Sequence, residues 1–163
     1  MTSPDLFQTL ARYNRWMNEK LYETAAGMPD EDRKADSGAF FGSLHGTLNH
    51  ILWADLAWLA RLNGEKPDLP ALGNPLYKDF GALRTARGEV DDTIVDWSNG
   101  LTAEWLDQDL VWTAVSDMKE RRQPRWLLVT HMFNHQTHHR GQATTLISQA
   151  GLDVGVTDLP RMD

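Results

Sequence analysis

Along the first part of the chain apolar residues recur at Leu6, Leu10, Tyr13, Met17 and Leu21, separated by four, three, four and four positions. That spacing puts them on one face of a helix from Ser3 to about Ala26. Ser3 ahead of Pro4 offers an N-cap and a first-turn proline, and Gly27 followed by Pro29 ends the helix. The stretch "MPDEDRKADSG" then reads as a polar loop. A second helix, from about Phe41 to Leu62, is apolar over most of its circumference through Leu44, Leu48, Ile51, Leu52, Leu56, Trp58, Leu59 and Leu62. A helix of that kind belongs in the middle of a protein. Asn63-Gly64 ends it, and "EKPDLPALGNP", with three prolines and a glycine, reads as a crossover able to join helices that are not simple antiparallel neighbours.

A third helix, about Tyr77 to Ser98, carries Phe80, Leu83, Val90, Ile94 and Trp97 and is terminated by Asn99-Gly100. The segment "DLVWTAVSDMKERRQ" opens with β-branched and aromatic residues, breaks at Ser116-Asp117 and resumes as a charged run. It predicts a small β-hairpin with a thin edge strand. A fourth helix runs from about Pro124 to Ala150, with a proline near its first turn and Gly151 after its end, and the tail "LDVGVTDLPRMD" has no periodicity. The pattern predicts an all-α four-helix bundle with a long helix 2–helix 3 crossover and a small β-hairpin before the last helix. No strand leads into a glycine-rich phosphate loop, so a Rossmann fold is excluded.

Composition narrows the picture. At 163 residues and 18.5 kDa the chain can bury one core but not two, so a single domain over residues 1–163 is expected. A net charge of −7 and a pI near 5.3 argue against nucleic-acid or anionic-membrane partners, which need clustered Lys and Arg. The one basic cluster, "KERRQPR" from Lys119 to Arg125, is short and reads as a solvated connection. There is no cysteine, so any metal must be held by N and O ligands and any thiol must arrive as substrate. The N-terminus lacks a basic region followed by an apolar run, and no stretch approaches the roughly 18 apolar residues of a membrane span. A cytoplasmic location is the expectation.

Four of the six histidines, His131, His135, His138 and His139, lie on the fourth helix. Turning about 100° per residue from His131 places Leu128, Met132, Ala143, Leu146 and Ile147 around a core direction near 100°. His139 falls at about 80° and His135 at about 40°, whereas His131 and His138 sit at the margin of the stripe and Arg140 at about 180°. His135 and His139 are therefore the inward pair. At i and i+4 their Cβ atoms stand roughly 6 Å apart, close enough for both rings to reach one cation. A third ligand must come from another helix, and His45 and His50 in "SLHGTLNHILWAD" are the candidates. Small residues at Ala54 and Ala57 favour His50. Asp55 is placed either to orient an imidazole or to pair with an arginine. Arg140 reads as a surface or inter-helix salt bridge, and Trp16, Trp53 and Trp58 as core, with a substrate pocket as the alternative.

With "ARYNRWMNEKLYE", "NHILWAD" and "NHQTHHRGQ" in place, the sequence resembles the DinB family of damage-inducible, metal-binding four-helix bundles, a superfamily shared with YfiT-like proteins. The resemblance covers nearly the whole chain, and "HHRGQ" is its most specific part. It implies that His50, His135 and His139 bind one divalent metal, zinc or nickel, with open positions for water. It further implies a homodimer, a DNA-damage or stress response, and, by analogy with related proteins, a small-molecule or low-molecular-weight thiol substrate such as mycothiol or bacillithiol.

Three neutral imidazoles leave a metal its full charge, so a bound water can be acidified to a pKa of about 7 or a thiol held as thiolate. A His-Glu-x-x-His peptidase needs a glutamate where Gln136 stands, so peptidase action is disfavoured. The absence of paired Glu-x-x-His motifs disfavours a di-iron centre. The expectation is a metal-dependent thiol S-transferase or small-molecule hydrolase, with a non-catalytic stress protein holding a structural or stored metal as the alternative.

Overall fold

The computed structural model describes residues 3–114 and 117–162, and over these the chain is mostly helical. Helix α1 (Pro4–Ala26) starts where Ser3 accepts a hydrogen bond from the Asp5 amide and ends at Gly27. A short helix α2 (Asp30–Lys34) occupies part of the segment expected to be a polar loop. Its carboxylates stand in the first turn and its cations in the last, as the helix dipole favours, and Arg33 tucks under the end of α1 to donate to the Ala25 and Met28 carbonyls. Helix α3 (Leu44–Leu62) begins three residues later than the apolar pattern suggests. Gly42 takes a left-handed φ of 77° and closes a tight turn with Ala39, which leaves Ser43 to cap the helix by accepting from the Gly46 amide at 3.0 Å.

Helix α4 (Phe80–Asn99) likewise starts three residues after Tyr77, capped by Asp79. Tyr77 is diverted because Asn49 of α3 brackets its peptide, accepting from its amide at 2.9 Å and donating to its carbonyl at 3.1 Å. A short helix α5 (Ala103–Asp107), unheralded by the apolar pattern, precedes the expected hairpin of β1 (Asp109–Thr113) and β2 (Glu120–Pro124). The strands are antiparallel with Val111 opposite Arg122. The expected break at Ser116-Asp117 falls partly outside the described residues, at Ser116. Helix α6 (Arg125–Gln149) completes the bundle, and a single 3-10 turn (Leu159–Arg161) lies in the tail.

Packing is principally α1 on α4 and α3 on α6, with α1 also against α6 and α3 against α4. Side-chain pairs fix the directions. Tyr22 meets Phe80 and Asn14 meets Asp91, so α1 and α4 are antiparallel. His50 meets His139 and Trp58 meets His131, so α3 and α6 are antiparallel too. Asp55 meets Arg87 and Asn63 meets Trp97, so α3 and α4 run parallel. Parallel neighbours need a connection as long as the helix itself, which is what the proline-rich crossover provides.

The core is in two parts. One gathers around Met17, Leu21, Leu48, Leu52, Leu83, Ala143 and Ile147. The other gathers around Phe7, Ala11, Leu62, Ile94, Val129 and Met132, with Leu110 of the hairpin packed into it. Between them every long helix turns a polar residue inward: Asn14 and Asn18 from α1, Asp55 from α3, Arg87 and Asp91 from α4, Gln136 and Arg140 from α6. The bundle therefore has a polar layer across its middle. Among the described residues no helix is long and apolar enough to cross a membrane.

Candidate metal centre

The site is assembled from the first turns of α3 and the middle of α6. The turn at Ala39–Gly42 lays Phe41 over the start of α3, so close that a Cβ on Gly46 would overlap the Phe41 carbonyl oxygen. Only glycine permits that approach. Phe41 thereby stacks on the His50 ring with centroids 3.8 Å apart and planes 19° apart, and meets His139 edge-on at 5.5 Å.

Across from His50, one turn of α6 presents His135 and His139. The three Nε2 atoms form a nearly regular triangle, with His50–His135 at 3.2 Å, His50–His139 at 3.2 Å and His135–His139 at 3.1 Å. Nitrogens held about 2.0–2.1 Å from a common ion stand about 2.9 Å apart at octahedral angles and about 3.4 Å apart at tetrahedral ones. The observed edges lie between these, so the triad fits a metal ion. Without a cation the triangle is poorly satisfied, since one Nε2–H can serve two edges and leaves two lone pairs facing across the third. His139 donates Nδ1–H to Gln142 Oε1 at 2.7 Å, which turns its Nε2 lone pair toward the other rings. The Nδ1 atoms of His50 and His135 are buried with no hydrogen-bond partner among the described residues.

Electrostatics agree with neutral rings. Burial, then the charge His139 would carry, pulls His50 down to about 4. Burial, followed by the other histidines of the cluster, pulls His135 down to about 3. Burial lowers His139 as well, opposed by its bond to Gln142. Neutral imidazoles are the form a metal requires.

The remaining candidates separate. His45 is a core histidine apart from the triad, buried with Nε2 2.9 Å from the Tyr77 carbonyl and Nδ1 without a partner among the described residues. His131 lies edge-on to Trp58 at 5.0 Å, and His138 is exposed beside Gln142. Asp55 does not reach an imidazole. It accepts from Arg87 Nη1 at 2.6 Å and from Gln136 Nε2 at 2.8 Å. Gln136 thus points into the polar layer, away from the triad, and its identity bears on the layer and not on the centre's chemistry. Arg140 is not on the surface and forms no salt bridge among the described residues. It is buried, donates to Asn14 and lies over the Tyr13 ring, and burial lowers it to about 10, still protonated at neutral pH. Trp58 is core, and Trp16 packs against the apolar cluster with Lys20 over its ring.

A cavity of about 440 Å³ opens beside His50, walled by Phe40, Phe41, Asn49, Trp53 and Leu72. Its size is that of a small-molecule site. Trp53, alone of the three tryptophans considered, serves a cavity, and its indole N–H donates to the Pro70 carbonyl at 2.8 Å, pinning the crossover over it.

Comparison with known proteins agrees with this architecture. The model of the DinB family matches residues 1–163. The chain is 26% identical over 164 residues to Protein DinB of Bacillus subtilis (strain 168), covering 91% of this chain and 88% of that protein. A crystal structure of a DinB-like protein from Bacillus cereus ATCC 10987 superposes with a TM-score of 0.64 at 24% identity, over 86% of this chain and 90% of the other, a likeness of fold.

Proposed function

The chain belongs to the DinB family, and from that premise we propose a metal-dependent enzyme in which His50, His135 and His139 hold one divalent ion, zinc or nickel, and act on a small molecule. The observation that carries the reading is the Nε2 triangle with 3.1–3.2 Å edges. The cavity at His50 supports catalysis over storage, because a purely structural ion is ordinarily enclosed by four protein ligands.

Bound there, the ion would supply undiminished positive charge, enough to bring a water's pKa to about 7 or to keep a thiol ionised. The chain's own residues do the rest. Gln142 orients His139, Phe41 braces His50, and Phe40, Trp53 and Leu72 give the incoming molecule an apolar wall. Among the described residues no carboxylate lines the cavity at His50, which favours an externally supplied thiol or an ion-activated water over a glutamate-driven peptidase. The reaction class is thiol S-transfer or small-molecule hydrolysis.

Metal analysis of the purified protein tests the centre, with one ion per chain expected and loss of that ion on His135→Ala or His139→Ala. Metal content indifferent to both substitutions would remove the site. Turnover of electrophiles with low-molecular-weight thiols, or of esters and amides in water, tests the activity. A fully loaded protein inert to both panels, whose melting collapses on chelation, would favour the structural-metal alternative.

A further inference from the structure

A second and larger cavity, about 640 Å³, lies on the other side of Trp53, between the crossover and the hairpin. Its walls include Trp53, Arg61, Pro70, Leu72, Val111 and Trp112. Arg61 lies on the same face of α3 as His50, roughly 16 Å further along the helix axis at 1.5 Å per residue. Trp53 and Leu72 line both cavities, so the two chambers share a wall.

Arg61 is the feature that the fold leaves unexplained. Its guanidinium rests on Trp58 at 5.1 Å and Trp112 at 5.9 Å, and burial lowers its pKa, yet it has no carboxylate or hydrogen-bond partner among the described residues. The contrast is with Arg121, which also approaches Trp112 but is held by Asp117 through bonds of 2.9 and 2.8 Å. Cation–π contact holds the Arg61 stem and plane, but it leaves the in-plane N–H fork free, and that fork matches carboxylate and phosphate. Lys66 and Glu65 also line the cavity, so its formal charge is +1 within a chain of net charge −7.

We propose that this cavity is a second small-molecule site, for an organic anion with a flat apolar body, its carboxylate or phosphate taken by Arg61 and its body lying between Trp53 and Trp112. The site does not depend on the triad's holding a metal. Trp53 makes it the neighbour of whatever reaches His50.

Calorimetric titration of the full-length protein with phenyl phosphate, benzoate, neutral benzamide and inorganic phosphate tests it, with and without chelator. Saturable binding of phenyl phosphate and benzoate is expected in both conditions, with benzamide weaker at least tenfold, and inorganic phosphate shows how much the anion contributes alone. Arg61→Met keeps the stem against the indoles and removes the fork, and should weaken both anions at least tenfold. Ala71→Trp, on the exposed crossover wall of this cavity and not of the one at His50, narrows it and should weaken binding even if the Arg61 variant folds poorly. Undiminished anion binding by both variants would overturn the proposal, as would absence of saturation at millimolar ligand. Binding lost in His135→Ala but kept in Arg61→Met would place the anion at the triad instead, and overturn it equally.

Discussion

At the scale of single residues, the arrangement of the centre depends on one hydrogen. Gly46 lets the Phe41 carbonyl lie where a methyl group would be, and Phe41 in turn covers the face of His50, whose Nδ1 has no polar partner among the described residues to hold the ring. Gly46→Ala should favour the helix intrinsically by about 1 kcal/mol yet displace Phe41. Because the Cβ meets backbone and not a flexible side chain, the shift should outweigh that gain, and the expected result is a less stable protein whose metal affinity falls about 10-fold or more, the range typical of lost support behind a ligand. Unchanged affinity, measured by competition with a chromophoric chelator, would show that His50 needs no such brace. Proton competition gives a second outcome. The folded pKa values of about 4 for His50 and about 3 for His135 lie below the unfolded value of 6.5. Between those limits the unfolded chain binds more protons, so the triad's contribution is complete above the unfolded value and is lost as pH falls through the folded ones. Buried Asp55 and Asp91 are shifted the opposite way, so the window is read as a difference. Metal-free wild type minus His135→Asn should lose stability from about pH 6.5 down to about pH 3, and a flat difference would contradict the shifts. Of these features the helical wheel makes the inward pair legible, because i, i+4 spacing is periodic. The Phe41 brace is illegible, because it depends on a loop whose path is set by a left-handed glycine.

At the scale of elements, the polar layer decides which faces meet. Two carboxylates, Asp55 and Asp91, share Arg87 at 2.6 and 2.9 Å, and Arg140 supplies the second positive charge. Asn14 and Asn18 donate to Asp91, and Gln136 to Asp55. Arg87→Met would strip two buried carboxylates of their shared partner, a change that costs about 3–5 kcal/mol in buried ion pairs. Urea unfolding should show a midpoint lowered to match, and an unchanged midpoint would mean that Arg140 alone balances the layer. The same layer explains the limits of the apolar pattern. On α1 the hydrophobic spacing selects Met17 and Leu21 correctly, but it also selects Leu6 and Leu10, whereas Leu6 is 50% exposed and the inward stripe there begins with Phe7 and Ala11 and continues through Asn14 and Asn18. Asparagines at two inward positions make the stripe look one residue out of register. On α6 Gln136 and Arg140 border the apolar arc, and a buried arginine is indistinguishable in sequence from a solvated one until its partners on other helices are known. The four long helices, the crossover and the hairpin were legible because each rests on local periodicity and turn chemistry, whereas the short helices α2 and α5 carry too few residues to show a period. The helix starts at Ser43 and Asp79 were not, because capping and the Asn49–Tyr77 bracket override apolar content.

At the scale of the whole molecule, the triad ties α3 to α6, antiparallel partners more than eighty residues apart in sequence, as His50 and His135 are separated by 85. Helices α3 and α6 also carry Asp55 and Gln136 of the polar layer directly below the triad, so the centre and the layer brace the same pair. An ion that binds only the folded chain should stabilise it by mass action, about 2.7 kcal/mol at a free concentration 100-fold above its Kd. For a chain of this length each kcal/mol moves the melting midpoint by about 2–4 °C, so saturating metal should raise it by roughly 5–11 °C. Chelation should cancel the rise, and adding metal to His135→Ala should leave that variant's own midpoint where it was. Scanning calorimetry of four samples, wild type and variant with and without metal, reads this directly. An equal rise in the variant would mean that the stabilising ion sits elsewhere, for instance on the acidic surface of a chain carrying −7. No rise in either would mean that the three imidazoles, for all their geometry, do not link the helices through an ion.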